Sequence, residues 1–362
     1  MCSAECRYIA GLIATCSAVI ILMVVSIFIC TKATTSKREK DNDPYHLAEY
    51  GLATFVKEGD LRADNVLEKG FESSHFRVVK DALTQRVQQL QMVLPVRYIT
   101  DAIRGLIKHH IGSSCQHEQI ERLMVQTEIA MAKNNELAED AGVKAEMFWS
   151  SALTVKGTEL CSMLNAAIRQ DDPANIVHAA VFAKGLEMRR NMDRLNMADL
   201  SQKYPNVQAT ADMFPGGEFP ESLEHQDWRV CWRGGGFNDD FKDFFVVGKY
   251  YRCPAFLATS LKKDVSMKFL TMQMSKSIPT MQWIIVLDGR GTKNPKYRCM
   301  HASFVLKSHL SQEHEFLFSP YSVFQVIATE WSPKRNKHHT IALRAAIDNM
   351  NHPEDLPLAP WY

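Results

Sequence analysis

From Tyr8 to Cys30 the chain reads YIAGLIATCSAVIILMVVSIFIC, without one charged residue. As an α-helix these 23 residues would measure about 35 Å, enough to cross the hydrocarbon core of a bilayer. A cleaved secretory leader has a shorter apolar core and a small-residue cleavage site, whereas this run passes into Cys30-Thr31-Lys32. The expectation is an uncleaved single-pass anchor, with a removed leader as the alternative. Arg7 alone precedes the run, while Lys32, Lys37, Arg38 and Lys40 follow it. The flank richer in Lys and Arg usually stays in the cytoplasm, so the rest of the chain is expected to face the cytosol. Of nine cysteines, Cys2, Cys6, Cys16 and Cys30 lie in or beside the apolar run, and the other five show no disulfide-framework spacing.

Residues 31–44, TKATTSKREKDNDP, are polar and closed by a proline, as a juxtamembrane linker would be. Residues 45–362 have ample apolar content for a large core. Lys and Arg number 42 against 41 Asp and Glu, so the single-sign field of a nucleic-acid binder is lacking. No HExxH and no two cysteine pairs at zinc-ligand spacing occur, and no metal is expected.

Between Tyr45 and about Asn196 helical spacing dominates. Leu160, Met163, Leu164, Ala167 and Ile168 fall at offsets that form one apolar stripe, which predicts a helix packed on a core. Residues 200–226 read as a long connector. Beyond it the period changes. Trp283–Leu287 reads as a buried strand ended by Asp288-Gly289, and Phe316–Phe318 and Val323–Ile327 as strands either side of Ser319-Pro320-Tyr321. Asp264 is placed to cap a helix running through Leu270. The basic cluster Lys334-Arg335-Asn336-Lys337-His338-His339 reads as a solvated turn.

Three islands carry candidate chemistry. In QEHEFLF, Glu313 and Glu315 are two apart, so on a strand they share one face and His314 takes the other. In VCWRGGG, Arg233 ends an apolar strand and precedes three glycines, where backbone approaches a ligand closely. The third is YRCPAFLATS, residues 251–260, whose Phe256 is read as core. Taken singly, the first two have plain structural explanations: a solvated strand face for the glutamates, and a surface or ion-paired arginine before a glycine run without Rossmann spacing.

In this order the three resemble the arginine-specific mono-ADP-ribosyltransferases, in particular members from unicellular eukaryotes. The likeness extends to LNAAIRQDDPA (164–174), to residues 232–270 and to the tail 339–362, about the last two thirds of the chain. It implies an α+β fold, with a helical N-terminal lobe packed on a mixed two-sheet β core and preceded here by one transmembrane helix. The implied partition is an anchor at 1–30, a linker at 31–44, a helical region of unknown role at 45–112 and the catalytic domain at 113–362. NAD is the implied substrate, without metal, and an arginine-bearing protein the implied acceptor. By resemblance Glu315 holds the 2′-hydroxyl of the nicotinamide ribose, Glu313 serves the acceptor guanidinium, and Arg233 and Gly234 hold the dinucleotide. The family's Ser-Thr-Ser reads Ala258-Thr259-Ser260, so the first hydroxyl is absent and Thr259, Ser260 or water must position Glu315. An NAD glycohydrolase on the same scaffold and a catalytically silent interaction protein are the alternatives.

Overall fold

The computed structural model describes residues 96–112, part of 121–125, and 140–360 with short breaks. The expected anchor at 8–30 and the linker lie outside the described residues, as does most of 45–112. Among the described residues no helix is long and apolar enough to cross a membrane.

The helical lobe contains α1 (Val96–Ile111), α2 (Ala141–Trp149), α3 (Leu160–Gln170) and α4 (Pro173–Glu187). In α1, Ile99, Ala102, Ile103, Leu106, Ile107 and Ile111 are buried, one face at helical spacing. α4 packs against α1, α2 and α3. It approaches α1 so closely that a Cβ on Gly185 would lie 2.6 Å from Ile99 Cδ1. α3 buries Leu160, Met163, Leu164, Ala167 and Ile168, the whole predicted stripe. A two-stranded hairpin, β1 (Thr154–Val155) and β2 (Thr158–Glu159), feeds directly into α3. Its two-residue loop, Lys156-Gly157, takes positive φ at both positions, as a tight hairpin of the primed type requires. α5 (Met197–Lys203) and short 3₁₀ turns then fill the connector.

The core is one eight-stranded mixed sheet rather than the two sheets expected. Its strands are β3 (Arg229–Gly236), β4 (Tyr250–Arg252), β5 (Leu257–Ser260), β6 (Thr280–Leu287), β7 (Ala302–Phe304), β8 (Glu315–Phe318), β9 (Val323–Glu330) and β10 (His339–Ala345). They lie in the order β4-β9-β10-β6-β3-β5-β8-β7, with only β10 and β6 parallel. Two sheets become one because Trp232 of β3 pairs with Ser260 of β5. β6 is buried at every residue, as its continuous apolar sequence dictates. The turn at 319–321 does not make a hairpin. β8 pairs with β5 and β7 while β9 pairs with β10 and β4, so the turn moves the chain from one half of the sheet to the other. The buried Arg252 guanidinium donates to the carbonyls of Tyr321, Asn349, His352 and Pro353, tying this turn to the C-terminal segment.

α6 (Lys263–Met274) lies on β3 and β6. Asp264 does not cap it, because the helix begins two residues earlier than that cap requires and Lys262 occupies the cap; the carboxylate instead sits in the first turn, where it favours the helix dipole. The fit of α6 on β3 explains Gly234. A Cβ there would run into the Ser266 carbonyl oxygen and lie 2.8 Å from Leu270 Cγ, so this glycine is required by helix packing. Gly234→Ala should therefore lower stability by about 1–3 kcal/mol, the usual cost of overpacking, read as a drop in the denaturation midpoint with unchanged slope.

Candidate active site

β3 pairs with β6 along its full length, but with β5 only at Trp232. Past that point β3 has no β5 partner, and a cleft of about 400 Å³ opens there, lined by the helical lobe, by β3, β5 and β8, and by α6. Arg233, Gly234, Thr259, Ser260, Glu313 and Glu315 all line it. Three stretches far apart in the chain thus meet in one place.

Glu315 opens β8, opposite Ser260. Glu313 reaches the cleft by a different route from strand alternation. It ends a 3₁₀ turn, Ser311–Glu313, and His314 then takes φ 48°, the left-handed region, before the strand starts. That kink is held from three sides. Ser260 Oγ donates to the Glu313 carbonyl at 2.5 Å, Leu261 N donates to the His314 carbonyl at 3.1 Å, and Tyr204 Oη lies 2.5 Å from His314 Nδ1. The expectation that Glu313 and Glu315 share a strand face is therefore corrected: the carboxylates face one cleft because of a turn.

Thr259 Oγ1 donates to the Phe316 carbonyl at 2.5 Å. Both hydroxyls of the Thr259-Ser260 pair are thus spent on backbone carbonyls, and neither bonds the Glu315 side chain. A group that sequence reasoning missed does so: the Trp149 indole Nε1–H donates to Glu315 Oε1 at 2.7 Å. Glu159, also unforeseen, brings a third carboxylate to the lining. No local signal marks either residue, since both arrive from the lobe through tertiary packing.

Arg233 donates from Nη1 to the Ala258 carbonyl at 2.8 Å, with its guanidinium carbon 6.0 Å from the Trp283 ring centre. Its buried Nε has no hydrogen-bond partner among the described residues. Phe256 is 2 % exposed and packs on Trp149 with centroids 5.3 Å apart, consistent with the core reading. Of the basic cluster, Lys337 pairs with Glu330 at the surface, but His339 is a buried strand residue whose Nδ1 accepts from Ser332 N while Nε2 faces Asp239.

Burial raises the Glu315 pKa to about 7. The Trp149 hydrogen bond opposes that rise, the charges of Glu313 and Glu146 add to it, and Arg233 opposes it. The side chain opens onto the cleft, yet protein crowds the carboxylate on its other sides, which accounts for the large effect of burial. Glu313 is also raised, first by burial and then by Glu159. Cys161 in the lining is pushed up to about 12 by burial, so it is a protonated thiol at neutral pH. Among the described residues no group of three or more His, Cys, Asp and Glu is placed to hold a metal ion.

No protein-family model matches the chain, and no curated protein sequence matches it. Among solved structures it is similar to an N-terminal truncation of the type III effector XopAI from Xanthomonas axonopodis pv. citri, at 12 % identity over 81 % of this chain and 98 % of that one, with a TM-score of 0.39. It is similar to the ADP-ribosyltransferase HopU1 of Pseudomonas syringae pv. Tomato, at 15 % identity over 68 % and 96 %, TM-score 0.38. A third is the Vibrio splendidus ADP-ribosyltransferase Vis in complex with agmatine, at 13 % identity over 68 % and 90 %, TM-score 0.31. At such identities and TM-scores these likenesses fix neither the substrate nor the acceptor of this chain.

A carboxyl group whose pKa is higher folded than unfolded contributes stability below its unfolded value, and that contribution is lost as pH rises through the folded value. For Glu315 the window runs from 4.5 to about 7. Glu315→Gln should leave the melting temperature close to wild type at about pH 4 and raise it relative to wild type at about pH 8, because the variant buries no charge.

Proposed function

We propose that the chain is a membrane-anchored mono-ADP-ribosyltransferase that moves ADP-ribose from NAD to arginine side chains of proteins and releases nicotinamide. The observation that supports this best is the convergence of Glu313, Glu315 and Arg233 on the one cleft that opens where β3 leaves β5. Arg233 is suited to the anionic dinucleotide, since a buried guanidinium nitrogen has no protein partner among the described residues. The β5-side backbone edge of Gly234 to Gly236 is likewise free of strand pairing. When bound, NAD supplies an electrophilic anomeric carbon.

Glu315 then holds the ribose 2′-hydroxyl and places negative charge beside a sugar that becomes cationic as the bond to nicotinamide breaks. Glu313 accepts hydrogen bonds from the acceptor guanidinium and takes the proton released as its nitrogen bonds the anomeric carbon. The raised pKa of Glu313 suits a base. Thr259 and Ser260 support the site by tying β5 to the backbone of β8 and of the turn before it. Three carboxylates in the lining against one arginine favour a cationic acceptor. Residues 8–30 would hold the protein in a bilayer with the catalytic domain in the cytosol, and no nucleic-acid partner is proposed. An Asn-x-Ser acceptor introduced at the surface should remain unglycosylated in the native host; glycosylation would reverse the topology.

Full-length protein in detergent, given labelled NAD and agmatine, should yield ADP-ribosylagmatine and nicotinamide. Free ADP-ribose alone would favour hydrolysis, and no nicotinamide release would remove the enzymatic reading. Glu315→Gln should lower turnover by about 10²–10³-fold. Glu313→Gln should abolish transfer to agmatine while leaving slow hydrolysis of NAD, because water needs no guanidinium partner.

A further inference from the structure

We propose that Trp149 is the positioning residue that holds the Glu315 carboxylate in its working orientation, from the helical lobe, in place of any hydroxyl on β5. The inference rests on the assignment of Glu315 to the ribose. Trp149 Nε1–H gives the one side-chain hydrogen bond that this carboxylate accepts among the described residues. The neighbouring candidates are otherwise engaged: Thr259 and Ser260 donate to the Phe316 and Glu313 carbonyls, and Ala258 has no hydroxyl.

The indole is itself fixed. Trp149 is 5 % exposed and is the last residue of α2. Just beyond it the helix is closed by Ser150, whose N and Oγ both donate to the Glu146 carbonyl. Its ring rests on Phe256, and the Phe256 backbone is clamped through both N and O by the side-chain amide of Asn165 on α3. Two helices of the lobe and the start of β5 therefore set where the donor points.

An indole N–H only donates, so it cannot exchange roles with a carboxyl group. It stabilises the ionised carboxylate and opposes both the burial of Glu315 and the charges of Glu313 and Glu146, as Arg233 also does. A long-range donor from another lobe also leaves the cleft edge at Ala258 open, which a local hydroxyl would narrow.

The test uses the full-length protein with NAD and agmatine. Trp149→Phe keeps the ring against Phe256 and removes the donor. Its kcat should fall about ten- to hundredfold, as expected for one lost hydrogen bond to a charged group, while KM for NAD stays within about threefold. The acid limb of kcat/KM should move to higher pH. Adding Ala258→Ser to that variant should restore part of the lost kcat, since residue 258 sits diagonally across from Glu315 on the same face of the β5–β8 pair. A merely structural role for Trp149 would not give that rescue. Wild-type turnover and an unmoved acid limb in Trp149→Phe would overturn the inference. If Glu315→Gln is inactive in the same assay, the transferase reading survives; if it is fully active, the assignment of Glu315 fails instead.

Should Trp149→Phe not fold, tryptophan-labelled wild-type protein supplies the measurement. One of six indole N–H resonances should shift with pH near the midpoint of the acid limb and lose that dependence in Glu315→Gln. Six resonances without such a titration would overturn the proposal.

Discussion

The eight-stranded sheet is joined at its middle by a single backbone pairing, Trp232 with Ser260. On one side of that joint lie β4, β9, β10, β6 and β3, and on the other β5, β8 and β7. A fuller pairing of β3 with β5 would seal the space into which Arg233, Glu313 and Glu315 project. Three glycines after Arg233 let β3 continue along β6 while α6 presses on it, and they place no side chain in the gap. The narrow joint and the cleft are thus one feature: the same departure that costs ladder hydrogen bonds exposes backbone and side chains to a ligand.

The gap is lined by electrostatically uncomfortable groups. Glu315 is pushed up to about 7 because burial outweighs the help it receives from the Trp149 donor and from Arg233. Glu313 is raised in the same direction, with Glu159 adding to it. A protein selected only for stability would place apolar side chains here, since replacing buried charge by well-packed hydrophobic groups is usually neutral or favourable. A strongly perturbed carboxylate facing a cleft, here Glu315, is more informative than a Glu-x-Glu pattern alone, because the pattern occurs on any solvated strand and the environment does not.

Much of this was legible in the chain. The stripe of α3 and the apolar run of β6 were readable because each follows a single period that local geometry enforces. The candidate residues were found by order and spacing, and the fold brings them together. The means was not legible. Reading Glu313 onto a strand assumed two-residue alternation, and nothing in QEHEF announces that His314 adopts a left-handed conformation; it does so because Ser260, Leu261 and Tyr204 hold the turn. Asp264 resembles a helix cap, but Lys262 takes that place when the helix starts two residues sooner. The expectation of two sheets failed on one pairing, too small a feature for composition or period to register. Trp149 left no trace at all, since its partner lies 166 residues away.

That distance makes the helical lobe part of the chemistry rather than a scaffold beside it. The donor on Glu315 comes from the end of α2, the carboxylate that perturbs Glu313 comes from the edge of the β1–β2 hairpin, and the clamp on Phe256 comes from α3. Each reaches across to the sheet from a different element of the lobe. Charge-assisted hydrogen bonds lose strength steeply with distance and angle, so a shift of the lobe by about 1 Å would weaken the hold on the carboxylate while leaving both hydrophobic cores intact. Where a hydroxyl on β5 would tie the carboxylate to its own sheet, an indole from the lobe makes the orientation of Glu315 depend on how the two layers sit against each other.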